Sequence, residues 1–432
     1  MMHAAAPDPT GPDEDALEFV QRETFRFFWE GAHPTSGLAR DRCLNSADPA
    51  PDDDLVAIGG SGFGIFAIVV ATERGWIDRS AALERLSRMV FALETARSHH
   101  GVFPHFMNGR TGETIPFGPE DDGGDLVETS FLIQGLLTAQ RYFDRPDATE
   151  TDLRTRITKL WHDVEWSWHT RGGQPVLTWH WSPNHGFRIN HEIRGWNECL
   201  ITYVLAAASP THPIAPEVYH HGFASSPTFA NGRTYYGVEL PLGPPLGGPL
   251  FFAHYSFCGL DPRGLSDRYA DYFAQNIAHT RINHAYCREN PGGHRGYGDA
   301  CWGLTASDDP DGYVAHAPDR DTGAISPTAA LSSFPYAPDL AMRTLRHFLY
   351  ERGSQIFGRY GFVDAFSDDR DWVADTFLAI DQGPIIAMIE NHRSGLLWRL
   401  FMSDPDVQRG LARLGFESPH LSGKEAAAPW TS

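Results

Sequence analysis

The stretch Asp15-Ala-Leu-Glu-Phe-Val-Gln-Arg-Glu-Thr-Phe-Arg-Phe-Phe-Trp29 places Leu17, Val20 and Phe28 near one face of a helix. Other segments with helical spacing of apolar residues follow it along the chain and outnumber the strand patterns. The sequence therefore predicts an all-α fold, built from helical hairpins packed into one closed ring. The further predicted helices are 61–75, 79–97, 126–143, 150–169, 191–208, 214–222, 264–281, 327–351, 374–401 and 405–413.

Two β-hairpins interrupt the helices, one over 102–112 and one that turns at Asn231-Gly232. Gly and Pro concentrate in the loops between helices, which we expect to gather over one end of the ring. No linker, charge block or fixed repeat divides the chain. We therefore expect a disordered leader (1–14), a single domain (15–416) and a C-terminal tail (417–432).

Acidic residues dominate the charge of the chain. Its 432 residues include 35 Lys and Arg against 55 Asp and Glu, a formal charge of −20. Such a chain lacks the basic surface that binds nucleic acid or an anionic membrane, so neither is expected as a partner. Aromatic residues make up 12% of the chain. Carboxylates together with aromatic side chains suit a neutral ligand covered in hydroxyl groups.

The five cysteines are widely spaced and form no zinc-binding pattern, so we expect free thiols and no metal site. No basic segment followed by an apolar one, as in a signal peptide, is visible at the N-terminus. The chain as written is therefore expected in the cytoplasm, as a monomer. A periplasmic mature form whose signal has been removed is the alternative.

Asp125 and Glu128 are the first candidate catalytic residues. They lie three positions apart at the predicted start of the 126–143 helix, and so on the same side of its first turn. Paired carboxylates beside a helix N-terminus can differ in protonation, which acid–base catalysis requires. The same spacing is also typical of a capping box, in which both side chains only satisfy backbone N–H groups.

Glu198 and Asp381 are two further carboxylates next to apolar runs. Burial of Glu198 early in the 191–208 helix would raise its pKa and make it a proton donor. The alternative is a surface network of Glu192 and Glu198 with Arg194. Asp381 precedes Gln-Gly-Pro, so it is either the N-cap of a helix or an inward-facing base.

The loop 290–316 mixes glycines with aromatic and acidic side chains, as a concave sugar site does. Aromatic planes stack on sugar rings, while carboxylates and amides bind the hydroxyls. An ordinary structured loop is the alternative. Two carboxyl groups and a shaped sugar channel are what glycoside hydrolysis needs. The candidate substrate-binding residues are Phe63, His105, Arg194, Trp196, Asn197, Trp302, Asp308, Tyr313 and His316.

Several long motifs resemble the glucoamylase-like domain of glycoside hydrolase family 144, over about residues 15–416. The resemblance implies an (α/α)6 toroid with short β-hairpins over one end. It also implies hydrolysis of β-1,2-glucan to sophorooligosaccharides or sophorose, with inversion at the anomeric carbon and without metal or organic cofactor. The motifs are 101–106 (Gly-Val-Phe-Pro-His-Phe), 125–131 (Asp-Leu-Val-Glu-Thr-Ser-Phe), 195–198 (Gly-Trp-Asn-Glu), 301–308 (Cys-Trp-Gly-Leu-Thr-Ala-Ser-Asp), 360–366 (Tyr-Gly-Phe-Val-Asp-Ala-Phe) and 379–386 (Ala-Ile-Asp-Gln-Gly-Pro-Ile-Ile).

The family's acidic positions fall on Asp125, Glu128 and Glu198 of this chain. Glu198 is the expected general acid, and the expected base is Asp125, Glu128 or Asp381. Two other functions stay open from the sequence. One is transglycosylation of β-1,2-glucan on the same fold, and the other is glycan binding without catalysis.

Overall fold

Helices are the main regular elements of the structure, a computed structural model that describes residues 6–50 and 52–421. Their lengths vary, because several are interrupted by proline or glycine. The described residues form the α-helices α1 (Asp13–Trp29), α2 (Ile58–Glu73), α3 (Arg79–Thr95), α4 (Leu126–Tyr142), α5 (Ala148–Asp163), α6 (Leu200–Ala208), α7 (Tyr272–Glu289), α8 (Pro327–Leu331), α9 (Pro338–Arg346), α10 (Gly353–Ile356), α11 (Ala379–Arg393), α12 (Leu396–Met402) and α13 (Pro405–Arg413).

Buried helices alternate along the chain with helices that are partly exposed, and together they form an (α/α)6 toroid. The inner members are α2, α4, α6, the short helical turns over 250–258, α8 and α11, and they are almost completely buried. Each follows an outer member, in the order α1, α3, α5, the turn over 218–223, α7 and α9. The ring closes where α11 packs against α2. Within the described part of the chain, no helix is both long and apolar enough to cross a membrane.

The inner helices begin at the same end of the ring, as contacts between their first turns show. The Ser130 hydroxyl in α4 lies 2.8 Å from that of Thr202 in α6. At the start of α8, the Thr328 hydroxyl donates to the carbonyl of Asp381 in α11 at 2.8 Å. α12 and α13 follow the C-terminal end of α11, where α12 packs against α2 and α4 and α13 packs against α6. The N-terminal end of the ring is therefore the end that can hold a site.

The strands are short and antiparallel, and several of them lead directly into an inner helix. β2 precedes α2, β5 precedes α4 and β15 precedes α11. They thus lie over the N-terminal end of the ring. The strands are β1 (Arg42–Leu44), β2 (Leu55–Ala57), β3 (Phe106–Asn108), β4 (Thr114–Ile115), β5 (Gly124–Asp125), β6 (His180–Trp181), β7 (Ala230–Tyr235), β8 (Val238–Leu242), β9 (Ala306–Asp309), β10 (Gly312–Ala315), β11 (Phe357–Gly358), β12 (Gly361–Phe362), β13 (Phe366–Ser367), β14 (Trp372–Val373) and β15 (Thr376–Leu378).

Both predicted hairpins exist, but one turn is misplaced. β3 and β4 form the hairpin predicted over 102–112. β7 and β8 turn at Tyr236 and Gly237, which both have positive φ, and not at Asn231-Gly232. Instead, the strand pairing shifts register just after Ala230, and the Asn231 amide donates to the carbonyl of Gly243 at 2.8 Å. The Asn-Gly pair therefore forms a bulge and not the turn.

Some predicted helix boundaries are wrong because the amphipathic pattern continues through breaks in the backbone. The predicted helix 327–351 is divided, since Pro338 begins a new helix. The predicted helix 374–401 starts late and is divided, since Gly395 adopts φ +67°. The other displaced elements are 150–169, which ends as α5 at Asp163; 191–208, which begins as α6 at Leu200; 214–222, which is a π-helical turn at Val218–Phe223; and 264–281, which is α7 at Tyr272–Glu289.

The chain ends are more ordered than predicted. The first helix begins at Asp13, and the Arg346 guanidinium donates to the carbonyls of Pro9 at 2.6 Å and Gly11 at 3.1 Å. The expected disordered leader is therefore wrong for residues 6–14, while 1–5 lie outside the described residues. At the other end, the Glu417 amide donates to the carbonyl of Ser266 at 2.7 Å, and 422–432 lie outside the description. All five cysteines are free, as predicted, and the structure places all of them in the interior.

Two glycines allow α2 and α4 to pack backbone against backbone. A Cβ atom added to Gly62 would lie 2.2 Å from the carbonyl oxygen of Phe131. One added to Gly135 would lie 2.3 Å from the carbonyl oxygen of Gly62. Real side chains do not tolerate such distances, so the separation of these two inner helices depends on both positions lacking a side chain.

We expect Gly62→Ala to destabilise the protein, because the added methyl group must push α2 away from α4. Overpacking of this kind costs about 1–3 kcal/mol, which thermal unfolding would register as a lower Tm. Gly298→Ala is the matched control, since a Cβ there meets no atom within 4 Å and the residue does not need positive φ. Equal Tm values for the two variants would contradict the close packing described here.

Candidate active site

Asp125 lies at the start of α4, at the N-terminal end of the ring, and is fully buried. Its Oδ1 accepts hydrogen bonds from the backbone N–H groups of Val127 and Glu128, both at 3.0 Å. The same oxygen accepts from the Trp179 indole at 2.8 Å. Asp125 is thus the N-cap of α4, as the capping alternative predicted.

The other oxygen of Asp125 faces two histidines. His105 Nδ1 lies 3.1 Å from Oδ2, and His180 Nε2 lies 3.8 Å from it. Burial acts to raise the pKa of Asp125, but the His105 hydrogen bond and the two imidazole charges outweigh it and lower the pKa. For His105, burial is likewise outweighed, here by the charges of Glu128 and Asp125, which raise its pKa to about 9. Asp125 and His105 therefore form an ion pair at neutral pH.

Glu128 does not complete the capping box. Its Oε2 accepts from the backbone N–H of Gly59, at the start of α2, at 2.7 Å. The amide of Asp125, which a capping box would satisfy, instead donates to the carbonyl of Phe103. Burial raises the pKa of Glu128 to about 7, with the Asp125 charge adding to it and the His105 charge opposing it. Glu128 therefore joins two inner helices and can gain or lose a proton near neutral pH.

Glu198 lies in the turn immediately before α6, not within the helix as predicted. The turn is held by Asn197, whose Oδ1 accepts from the Cys199 amide at 3.0 Å, and by the Ser256 hydroxyl, which donates to the carbonyl of Glu198. The residue is partly exposed. Burial of its carboxyl raises the pKa to about 7, and the charges of Glu128 and Asp125 add to this effect. A carboxyl whose pKa lies near 7 is protonated in a large fraction of molecules at neutral pH, so a partly exposed one can act as a proton donor.

Asp381 and Asp364 form a second group of carboxyls, across from the first. Asp381 lies in the first turn of α11, where it is not the N-cap, so the capping alternative is wrong here. It is 1% exposed, and among the described residues no donor binds either of its carboxylate oxygens. Asp364 precedes β13, and its Oδ2 accepts from the Asp308 amide at 2.6 Å. Burial and the neighbouring Asp364 charge hold the pKa of Asp381 well above its usual range.

The two groups of carboxyls face the same space. Burial raises the pKa of the Tyr255 phenol well above its usual range, and the charges of Asp381, Glu198 and Asp364 all add to that shift. Asp41 likewise adds to the raised pKa values of both Glu128 and Asp381. Tyr255 and Asp41 thus lie near carboxyls of both groups, and the end of the ring is one acidic cleft.

Two exposed aromatic rings border this cleft. Tyr313, on β10, is 51% exposed, yet the charges of Asp381 and Asp364 contribute to its raised pKa. Phe117 is 59% exposed, with its ring centroid 4.5 Å from that of His105. Tyr313 therefore lies beside the second group of carboxyls, and Phe117 lies beside the first.

Three aromatic residues predicted to bind substrate are buried in the core instead. Trp196 is 3% exposed and packs against Tyr272 with a centroid distance of 5.5 Å. Trp302 and Phe63 have no exposed surface. Because no face of the Trp302 or Phe63 ring is open, neither ring can stack directly on a ligand in this structure, and Trp196 has little open surface. Phe63 packs at 5.4 Å from the Tyr255 ring and supports the cleft from below.

The remaining predicted residues divide between the cleft and other parts of the molecule. The Asp308 carboxylate accepts from Arg42 at 3.2 Å and from Thr376 at 2.5 Å, next to Asp364. His316 has no exposed surface, and its Nδ1 lies 3.2 Å from the Thr322 hydroxyl, so it does not face the cleft directly.

The predicted alternative, a surface network of Glu192 and Glu198 with Arg194, is correct in part. The Arg194 guanidinium pairs with Glu192 at 2.6 Å and donates to the carbonyl of Gly222 at 3.2 Å. Glu198 is not a member of that surface network. Arg194 is exposed on the outside of this turn.

Sequence reasoning assigned no role to Asp364, Tyr255, His180 or Phe117. Asp364 was present in the 360–366 motif, whose tight spacing of glycine, acid and aromatic residues was a usable signal. His180 could not be found from sequence, because its position opposite Asp125 depends on the pairing of β5 with β6. In the described chain, no group of three or more His, Cys, Asp or Glu side chains is placed to hold a metal ion.

Comparison with known proteins identifies relatives of the whole fold. A family model described as “Putative glucoamylase” matches residues 190–405. The solved endo-β-1,2-glucanase of Chitinophaga pinensis is 50% identical with a TM-score of 0.93, covering 95% of this chain and 100% of that one. The solved β-1,2-glucanase of Parabacteroides distasonis is 47% identical with a TM-score of 0.91, covering 94% of this chain and 60% of that one.

A curated relative from Parabacteroides distasonis is an exo-β-1,2-glucooligosaccharide sophorohydrolase acting at the non-reducing end. It is 47% identical over an alignment of 423 positions that covers 93% of this chain. The chain spans 58% of that relative's length. These matches agree with the family resemblance drawn from the sequence motifs. The chain therefore belongs to the glucoamylase-like family, glycoside hydrolase family 144.

Proposed function

We propose that this chain is a glycoside hydrolase that cleaves β-1,2-linked glucan with inversion at the anomeric carbon. The observation that carries the proposal is the group of carboxyls at one end of the ring, in which Glu198 and Asp381 come from different inner helices and both act on the pKa of Tyr255. Relatives with about 50% identity that act on β-1,2-glucans support the choice of substrate. No cofactor is needed, because two carboxyls and a water molecule complete the reaction.

Glu198 is the general acid in this proposal. Its pKa of about 7 means that about half of the molecules hold the Glu198 proton at neutral pH and most hold it below neutral pH. Partial exposure in the turn before α6 lets a glycosidic oxygen approach its carboxyl. Protonation of the leaving oxygen by a positioned acid of this pKa contributes about 10²–10⁴-fold to the rate.

Asp381 is on the side of the attacking water. Glu198 lies in the turn before α6, whereas Asp381 lies in the first turn of α11, and both act on the pKa of Tyr255. An inverting enzyme needs room for water between its two carboxyls, a separation of about 6.5–9.5 Å, whereas a retaining enzyme needs about 5 Å. The origin of the two carboxyls in different inner helices favours the wider arrangement. Glu128 and Asp125 are assigned here to binding and to setting the charge around Glu198.

The rest of the cleft binds the sugar chain. His105 carries a positive charge fixed by Asp125, so it can donate a hydrogen bond to a sugar hydroxyl. The exposed rings of Phe117 and Tyr313 provide apolar faces at two sides of the cleft for sugar C–H groups. Because Phe117 and Tyr313 are the rings with open faces, they take the stacking role in place of Trp196 and Trp302.

Hydrolysis of linear β-1,2-glucan should release products whose new reducing end is first formed as the α anomer. Proton NMR during the first minutes, before mutarotation, measures the configuration directly. The size of the products over time separates internal cleavage, which gives a ladder, from release of sophorose alone. First-formed β product would contradict the inverting mechanism, and absence of any cleavage would contradict the substrate.

Glu198→Gln should lower kcat by about 10² or more, because the amide cannot donate a proton to the leaving oxygen. Glu192→Gln is the matched control, since Glu192 is six residues away and pairs only with Arg194 among the described ion pairs. The control should keep wild-type kcat, and both variants should keep the wild-type circular dichroism spectrum. Comparable kcat values for the two variants would remove Glu198 from the proposed role.

The pH dependence of kcat/KM should show a decline above about pH 7, tenfold per pH unit at higher pH. The sign follows from the acid role, since Glu198 must hold its proton and loses it as the pH rises through its pKa of about 7. Initial rates at low substrate concentration between about pH 5 and about pH 9 measure this limb. A rate that stays constant to pH 9 would show that no group with this pKa acts as the acid.

A further inference from the structure

Asp381 poses a chemical problem if it acts alone. It is buried, and in the described part of the chain no N–H or O–H group donates to its two oxygens. An ionised carboxylate without donors is strongly disfavoured in such a place, so Asp381 holds a proton in the resting protein. A carboxyl that already holds a proton cannot take one from water unless it gives its own away.

Asp364 is placed to receive that proton. It pairs with β15, which leads directly into the first turn of α11 where Asp381 lies, and each of the two carboxyls acts on the pKa of the other. The Asp364 backbone is fixed to the strand before α11, because its amide donates to the carbonyl of Thr376 at 2.9 Å. Its side chain is 2% exposed, with the Asp308 amide on Oδ2 at 2.6 Å. Since two ionised carboxylates have no hydrogen between them, a hydrogen bond between the two exists only when the pair holds a proton.

The proton of the pair rests on Asp381, because Asp364 has the better environment for a negative charge. Asp364 accepts a backbone N–H, and Asp381 accepts none. The neighbouring charged groups oppose a second negative charge on the pair. Asp308 and Asp41 are both close, and one guanidinium, that of Arg42, pairs with both of them.

Two neutral phenols, Tyr313 and Tyr255, complete the surroundings, and the pKa of each is held well above its usual range. These tyrosines add no positive charge that would let both carboxyls ionise. Asp364 and Asp381 therefore titrate as a pair with one negative charge at neutral pH.

We infer that Asp364 and Asp381 act as one unit, in which Asp364 is a positioning residue that receives the proton of Asp381 as Asp381 takes one from the attacking water. This inference rests on the proposed function. In the step, an O–H bond of water breaks and its oxygen bonds to the anomeric carbon. The water proton goes to the free oxygen of Asp381, and the proton that Asp381 held passes to Asp364.

The charges balance across the cleft. The Asp364–Asp381 pair changes from one negative charge to none. The glycosidic C–O bond breaks with its electron pair on the leaving oxygen, which takes the proton of Glu198, so Glu198 becomes ionised. Solvent then returns a proton from the pair to Glu198, and the resting state is restored.

A double-mutant cycle tests the unit. Asp364→Asn and Asp381→Asn should each lower kcat by about 10² or more with little change in KM. The kcat of the double variant should be no lower than that of the more impaired single variant, because the two residues act as one unit. Asp311→Asn is the control, an exposed carboxylate in the same β9–β10 hairpin as Asp308 that pairs with Arg370. Wild-type kcat in Asp364→Asn, or losses that multiply in the double variant, would overturn the inference.

The pH profile separates this role from a merely structural one. In Asp364→Asn, the negative charge needed for catalysis must sit on Asp381 without a carboxyl donor beside it. The pKa of Asp381 in this variant should therefore be higher than the pKa at which the wild-type pair loses its first proton. The acid limb of kcat/KM should move to higher pH as a result. An unmoved acid limb together with a lowered Tm would assign Asp364 to folding alone and overturn the inference.

An infrared measurement on protein without substrate makes the test independent of both activity and the Asp364 variant. The difference spectrum of wild type minus Asp381→Asn at neutral pH should contain the C=O band of one protonated carboxyl. A band of an ionised carboxylate in its place would overturn the inference. If wild-type protein does not cleave β-1,2-glucan but the protonated band is present, the proposed function is contradicted. The shared proton of Asp364 and Asp381 is still supported in that case.

Discussion

The inner helices of the ring begin at one end, and this convergence determines where the molecule can bury charge. The first turn of a helix offers unpaired N–H groups and the positive end of its dipole. Asp125 uses these groups within its own helix, whereas Glu128 uses an N–H group of the neighbouring helix, at Gly59. The close approach of α2 and α4 at Gly62 and Gly135 makes that second contact available. The close contact between α2 and α4 therefore determines both the packing of the core and the position of the acidic cleft.

The carboxyls of the cleft have different protonation states because each has different hydrogen-bond and charge partners. Asp125 has three donors and a histidine, so it stays ionised. Glu198 has burial and two nearby negative charges, which raise its pKa to about 7. Asp381 has only the carboxyl of Asp364. One fold thus supplies a permanent charge, a proton donor and a proton-sharing pair from four residues of nearly identical chemistry.

The sequence predicts the ring and the acidic motifs well, because both depend on local patterns. Helical spacing identifies α1 to α4 nearly to the residue, and the positions of Asp125, Glu128 and Glu198 follow from motifs beside helix starts. Features that depend on tertiary contacts are harder to predict from the sequence. Trp196 and Trp302 have the composition of sugar-binding residues but fill the core. Their burial is decided by neighbours distant in sequence, as the packing of Trp196 on Tyr272 shows.

The central claim is that a sugar chain binds with its scissile bond between Glu198 and Asp381. The most direct measurement is a crystal structure of Glu198→Gln with a β-1,2-linked glucooligosaccharide. We predict that the glycosidic oxygen lies within hydrogen-bonding distance, about 3 Å, of the side chain at position 198. A water molecule should lie on the opposite face of the ring, toward Asp381. A sugar chain bound with its glycosidic oxygen against Asp125 or Glu128, and with no path for water from the Asp381 side, would contradict the account.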